Sequence, residues 1–149
     1  MPQLRITRET TRLWRLPLDR RELARTLDIF CRVIAAQGRP LPESLTLRLA
    51  DDGLSADADA RVMGCPGPTN ILTFPGDAGL PGELLLSLDT WERECRLYHQ
   101  PPLRHLLRLL AHGMAHMAGL DHGSEMEALE RACLRALPLS RESAPRAAG

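Results

Sequence analysis

The sequence predicts an α+β fold: a single domain in which a small mixed four-stranded sheet packs against helices. Four short strand-like segments end before residue 89, and three of the four helix-like patterns come after that point. In addition, a chain of 149 residues with 44% hydrophobic and 26% charged residues suits one domain with its own core.

The first three elements are predicted from apolar periodicity and from the residues at their ends. Residues 4–7 alternate between apolar and polar side chains and predict a short, half-buried strand. Residues 17–38 predict a helix, in which Asp19 caps the start and Gly38 ends the last turn. Leucines at every second position predict another strand over residues 44–50.

Two further strands and a helix follow a loop-rich middle stretch. Glycine and proline interrupt residues 51–70, so no long element is expected there. Residues 71–74 and 82–88 are short apolar runs, and each predicts a strand. Residues 89–100 have a helical pattern, which Pro101 stops.

The last two helices are predicted over residues 103–118 and 124–137. Ser124 and Glu127 have the spacing of a capping box at the start of the second one. The end of the chain has almost nothing to bury. We therefore expect the domain to occupy residues 1–139 and residues 140–149 to form a disordered tail.

The composition argues against several classes of protein. The formal net charge is zero, so no strongly basic field indicates a nucleic-acid partner, although all 19 basic residues are arginine. The four cysteines include no C-x-x-C pair, which excludes a zinc ribbon or thioredoxin-type centre, and we expect no disulfide. The apolar runs are shorter than the roughly 20 residues that cross a bilayer, and the N-terminus has no apolar signal core. We therefore expect a cytoplasmic protein without membrane association.

The segment HGMAHMAGLDH contains three of the five histidines and predicts a metal site at the end of the central helix. Since each residue of a helix turns by about 100°, His112 and His116 project from one face about one turn apart. Gly119 suits the left-handed position where a helix ends, and the chain can then return His122 as a third ligand. Three nitrogen ligands without an obvious fourth are typical of an open, catalytic zinc site that activates water.

Gly113 decides between reaction classes that share this histidine spacing. The pattern also fits the metzincin proteases, H-E-x-x-H-x-x-G-x-x-H, in which the glutamate after the first histidine is the general base. Here that position is Gly113, which cannot move a proton. A protease of this kind would therefore have its metal ligands here but no general base.

Three motifs resemble those of the YbeY endoribonucleases, a family of ribosomal RNA maturation factors. HGMAHMAGLDH fills the pattern H-G-x-x-H-x-x-G-[YL]-D-H. PTNILTFP at residues 68–75 is similar to P-T-[DN]-V-L-S-F-P, and GELLLS from Gly82 is similar to a G-D motif that leads into an apolar strand. Order and spacing agree from Pro68 to Leu134, whereas the first third agrees only in its strand–helix–strand outline.

The resemblance implies one Zn²⁺ per chain and a single-strand-specific endoribonuclease activity. It further implies ribosomal RNA precursors as substrate, the small ribosomal subunit as partner, and roles in 16S 3′-end maturation and ribosome quality control. His112, His116 and His122 are then the metal ligands. Two alternatives stay open, a metal-dependent hydrolase of the peptidase kind and a non-catalytic assembly factor whose zinc only shapes the fold.

Two residues are candidates for catalysis. Asp121 either orients a histidine ligand, handles protons at the site, or is a turn residue bonded to local backbone. Family members carry a Tyr-Arg pair six residues before the threonine of the second motif, and its arginine is implicated in cleavage. This chain has Val62 and Met63 there, with Arg61 two residues early. Either Arg61 reaches the site and steadies negative charge on the phosphate, or that role is missing.

Three residues are candidates for substrate binding. Thr69 and Asn70 precede a strand, and by resemblance they line the site, where hydroxyl and amide groups suit sugar or phosphate. Ordinary turn chemistry is the other explanation for both. His105 lies seven residues before His112 on nearly the same helix face, about 10 Å away, which is too far to ligate the same ion. His105 either lines a substrate groove or is a structural histidine bonded to a partner.

Overall fold

The computed structural model describes residues 1–9, 16–51, 70–77 and 79–138. The candidates Arg61 and Thr69 lie outside these residues, as does the tail over 140–149. The described strands are β1 (Gln3–Glu9), β2 (Ser44–Ala50), β3 (Ile71–Phe74) and β4 (Gly82–Ser87). The described helices are α1 (Arg20–Ala36), α2 (Leu88–Leu97), α3 (Pro102–Met117) and α4 (Ser124–Arg135).

The four strands form one mixed sheet in the order β1-β2-β4-β3. β1, β2 and β4 run parallel, with Leu47 paired to Ile6 on one side and to Leu84 on the other. β3 runs antiparallel to β4. A parallel pair needs a crossover connection, and α1 provides it between β1 and β2. The predicted fold class, an α+β domain with a small mixed sheet, is confirmed.

The core lies between one face of the sheet and the helices α1 and α3. Alternate leucines of β2, at positions 45, 47 and 49, are buried on this face, as the alternating sequence predicts. α1 contributes Leu27, Phe30 and Ile34, none of which is exposed. α3 contacts β3, β4 and all three other described helices, so the helix that carries the histidines is the central one.

The helix ends confirm one of the two capping predictions. Asp19 caps α1 in a full capping box, since its carboxylate accepts from the Glu22 N–H at 2.8 Å and the Glu22 side chain accepts from Asp19 N–H. The box predicted for Ser124 and Glu127 is wrong. α4 is capped by Gly123 at a φ of 147°, with no side-chain hydrogen bond, so Ser124 is already the first helical residue. The chain enters this helix through a backbone conformation that glycine alone adopts easily.

Two of the described thiols are buried in the core. Burial raises the pKa of Cys31 to about 11 and that of Cys133 to about 12. Cys31, Cys95 and Cys133 are all free thiols. Among the described helices, none combines the length and the apolar character that a membrane span requires.

An ion-pair ladder crosses the other face of the sheet. The Arg48 guanidinium on β2 donates two hydrogen bonds of 2.7 Å to the carboxylate of Glu9 on β1. It also donates one of 3.1 Å to Glu83 on β4. These bonds hold the pKa of Glu9 below its ordinary value and raise that of Arg48. The ladder thus joins three adjacent strands through one guanidinium.

We expect Arg48→Met to lower the free energy of unfolding at pH 7 by about 1 kcal/mol, because a partly buried bidentate pair is lost. Because folding lowers the pKa of Glu9, its carboxylate stabilises the fold at pH values above the ordinary pKa of the group. This stabilisation is lost as the pH falls through the pKa of the folded state. The difference from wild type should therefore shrink at acid pH. Urea unfolding of the metal-free proteins at pH 7 and at about pH 3.5 measures it.

Arg32→Met is the matched control, because Arg32 pairs with Asp28 on the surface of α1 and its side chain is 71% exposed. That change should have little effect at either pH. A penalty for Arg48→Met that is the same at both pH values would contradict the role of Glu9.

Candidate metal centre

The last turns of α3 present His112 and His116 on its solvent side. The three residues between them are buried, so the helix turns its apolar side to the sheet and its histidines outward. The two imidazole centroids are 4.8 Å apart. The spacing of four residues thus produces the predicted pair on one face.

A tight turn after α3 returns the third histidine. Gly119 has a φ of 91°, and its N–H donates to His116 O at 2.9 Å. The next N–H, of Leu120, reaches back to Ala115 O at 3.2 Å. The predicted left-handed glycine is therefore present, and it reverses the chain. The ring of His122 comes to 5.6 Å from that of His112 and 5.4 Å from that of His116.

Two of the three imidazoles are oriented by hydrogen bonds at Nδ1. His116 Nδ1 lies 2.9 Å from Leu120 O, and since a carbonyl oxygen only accepts, Nδ1 carries the proton. His112 Nδ1 lies 2.7 Å from Glu130 Oε2 on α4. A proton at Nδ1 leaves the Nε2 lone pair of each ring free to bind a metal.

The donor set fits a zinc ion. One ligand atom from each of His112, His116 and His122 lies within 4.8 Å of the others, and no further Asp, Glu, Cys or His among the described residues joins the group. Neutral imidazoles suit zinc and other first-row transition metals. Three protein nitrogens with a remaining coordination position are typical of catalytic rather than structural zinc sites.

The carboxylate that bonds a histidine of this group belongs to Glu130 and not to Asp121. Asp121 is exposed, and no hydrogen bond or ion pair joins it to another described residue. Glu130 makes the contact that orients His112, and it was missed. A ligating histidine usually bonds a carboxylate through its other nitrogen, so an acidic residue on the next helix could have been sought. α4 carries several, and the sequence does not select among them.

A second polar cluster, which we call the Glu94 cluster, joins three elements beside this centre. Glu94 Oε1 on α2 lies 2.8 Å from His105 Nε2 on α3 and 3.3 Å from Asn70 Nδ2 at the start of β3. The His105 side chain is only 13% exposed. His105 thus has the partner of a structural histidine, and it also lines a groove together with Asn70 and His112.

Gly113 packs closely against the sheet. A Cβ at this position would lie 2.8 Å from Ile71 Cδ1 and 3.0 Å from Leu84 Cδ2, both on the sheet. Its carbonyl accepts a hydrogen bond of 3.1 Å from Thr73 Oγ1. A side chain here would require the buried Ile71 and Leu84 to shift, so the packing adds to the argument against a glutamate at this position.

Fold and site together define a small α+β protein with a three-histidine group that could hold a metal ion. The chain belongs to the YbeY endoribonuclease family, because the family model described as Endoribonuclease YbeY matches residues 11–137. The match covers much of the first third of the chain, beyond the motifs after Pro68 that carried the resemblance.

Curated relatives agree with this assignment. The chain is 41% identical to an Endoribonuclease YbeY of Nitratidesulfovibrio vulgaris, over 83% of this chain and 87% of the relative. It is 37% identical to one of Oleidesulfovibrio alaskensis, over 82% and 85% respectively. The solution structure of a Thermotoga maritima protein has a similar fold, with a TM-score of 0.64 at 19% identity, over 96% of this chain and 94% of that one.

We expect Glu130→Gln to weaken zinc binding about 10- to 100-fold, because the neutral amide is a poorer acceptor for the His112 N–H. Competition with a chromophoric chelator measures the affinity. The matched control is Glu127→Gln, one turn earlier on the same helix and exposed. Equal affinities for the two variants would show that Glu130 does not support the site.

Proposed function

We propose that this member of the YbeY family uses one Zn²⁺ at the three-histidine centre to cleave single-stranded RNA. The observation that supports this most directly is the convergence of His112, His116 and His122. Nδ1 of His112 is already bonded to Glu130, and Nδ1 of His116 is already bonded to the Leu120 carbonyl. When bound, zinc supplies a Lewis acid that polarises a phosphoryl oxygen or activates water. The protein itself supplies preorganised ligands and nearby groups for protons and charge.

Asp121 is our candidate for proton transfer. It is next to the ligand His122, it is exposed, and among the described residues it has no hydrogen-bonded partner that would hold it away from substrate. A carboxylate placed this way can accept a proton from the attacking group or deliver one to the leaving oxygen. The ligand-orienting role is taken by Glu130 and the Leu120 carbonyl.

Arg61, Thr69 and Asn70 are our candidates for holding the phosphate and sugar. Phosphodiester cleavage develops negative charge, which a guanidinium stabilises. Arg61 is the arginine nearest in sequence to Met63, which occupies the position of the family's arginine. Asn70 lines the groove next to His112, where its Nδ2 donates to the Glu94 carboxylate and its Oδ1 accepts from the N–H of Ile71. An amide N–H held in this way can donate to a ribose hydroxyl or phosphate oxygen.

We further propose ribosomal RNA precursors on the small ribosomal subunit as the substrates, with the 16S 3′ end as the processed site and ribosome quality control as a related role. The support is that the curated relatives are named as endoribonucleases, together with the ribosomal RNA maturation role that the resemblance of the sequence motifs implies. Such substrates place the protein in the cytoplasm, and the free thiols at Cys31, Cys95 and Cys133 are compatible with a reducing compartment.

Chelation should abolish cleavage of a single-stranded RNA, and one equivalent of zinc should restore it. His116→Ala should bind zinc weakly and reduce cleavage to background, because two imidazoles no longer form an open three-ligand site. Metal analysis beside gel assays of wild type and variant measures both effects.

Two outcomes would contradict the proposal. Cleavage by His116→Ala equal to wild type would assign the activity to a contaminant. A wild-type protein that holds zinc and leaves RNA intact would instead be an assembly factor. A casein assay on the same samples tests the peptidase alternative, which the packing of Gly113 disfavours.

Asp121→Asn should keep full zinc content but lose about 10²- to 10⁴-fold in kcat, the usual contribution of a positioned acid or base. Single-turnover cleavage with zinc-loaded protein measures the rate. A variant with unchanged kcat would reduce Asp121 to a turn residue.

A further inference from the structure

A groove of about 460 Å³ lies between α3 and α4 and ends at the metal ligand His112. Its α3 wall consists of His105, Arg108, Leu109 and His112. This spacing of i, i+3, i+4 and i+7 is one continuous face of the helix. The groove therefore extends two helical turns, about 10 Å, from His112 along the helix.

The α4 wall repeats the same spacing with Glu127, Glu130, Arg131 and Leu134. Glu130 is bonded to His112, so its carboxylate is occupied. Arg131 is exposed, and no hydrogen bond or ion pair joins it to another described residue. Across the groove, the exposed Arg108 donates one hydrogen bond to Gln100 and keeps its other N–H groups.

The floor of the groove is apolar. Leu109 is 7% exposed, and Leu134 is partly buried against the core. The groove thus combines two guanidinium groups from facing helices, an apolar floor and a metal ligand at one end. A volume of this size also falls within the range of small-ligand sites.

We propose that this groove binds the RNA strand next to the scissile phosphate, with Arg108 and Arg131 contacting the phosphates of the adjoining nucleotides. This inference rests on the proposed function. Arg108 lies four residues from His112, about 6 Å along the helix, so a strand whose scissile phosphate is at the metal centre can continue past it. Guanidinium groups bind phosphate oxygens in bidentate fashion.

Asn70 and His105 of the Glu94 cluster add polar groups to the groove. The Glu94 carboxylate is bonded to both of them and does not itself line the groove. Glu127 is the acidic groove residue that has no such partner among the described residues. Arg108 and Arg131 balance the carboxylates of Glu127 and Glu130 in the groove lining, and a bound Zn²⁺ would make this region positive, which favours an anionic backbone.

Zinc-loaded Arg108→Ala/Arg131→Ala protein tests the proposal against a matched control. The control is Arg104→Ala/Arg135→Ala, which removes two exposed arginines from the same helices outside the groove. The main readout is fluorescence anisotropy with a labelled single-stranded RNA at several salt concentrations. Titrations run at 4 °C, and a gel confirms that the RNA stays intact.

We expect the groove variant to raise Kd about tenfold and to reduce the slope of log K against log salt by about 1.4, or 0.7 for each of two phosphate contacts in a single strand. Its kcat at saturating RNA should stay within about twofold of wild type, because binding is lost rather than chemistry. The control should keep the wild-type Kd and slope. Circular dichroism and zinc content verify that all proteins are folded and loaded.

The outcomes separate this inference from the proposed function. If wild type binds RNA through the groove arginines but does not cleave it, the endoribonuclease proposal fails and the groove assignment stands. If wild type cleaves RNA and the groove variant matches the control in Kd and slope, the groove assignment is overturned alone. If the wild-type protein binds no RNA, the groove assignment is also overturned.

Discussion

The close approach of α3 to the sheet at Gly113 is the contact on which the site depends. Without a side chain there, the helix backbone comes within reach of Ile71 and Leu84, and Thr73 Oγ1 bonds its carbonyl. This contact sets the rotation of the helix about its own axis. Residues 113–115 face the core, and the histidines on either side of them face outward. Gly113 has no reactive group, but its packing thus determines that the two histidines face outward.

Sequence reasoning predicted the local features well because they depend on backbone periodicity. The helical pair His112 and His116, the left-handed Gly119 and the Asp19 cap each need only a few neighbouring residues. The strand β2 also follows from a pattern along the chain, since its alternating leucines must bury one face.

The features that were missed depend on how separate elements meet. Glu130 is eighteen residues from His112, and only the packing of α4 on α3 brings the two together. Glu94 joins α2, α3 and β3 in the same way. The capping box failed for a related reason, because the path from His122 into α4 is set by the returning turn, and Gly123 takes the cap position. The zero net charge likewise gives no sign that two arginines line one groove beside His112.

The two helical ligands differ in how their orientation withstands mutation. His112 depends on the side chain of Glu130, so a single codon change on another helix disturbs it. His116 depends on the main-chain oxygen of residue 120, which every amino acid possesses. Substitutions at position 120 that suit its half-buried surroundings would therefore leave the tautomer of His116 unchanged. Tolerance to mutation is thereby distributed unevenly around the three-histidine group, because the turn is the robust support and the neighbouring helix is the vulnerable one.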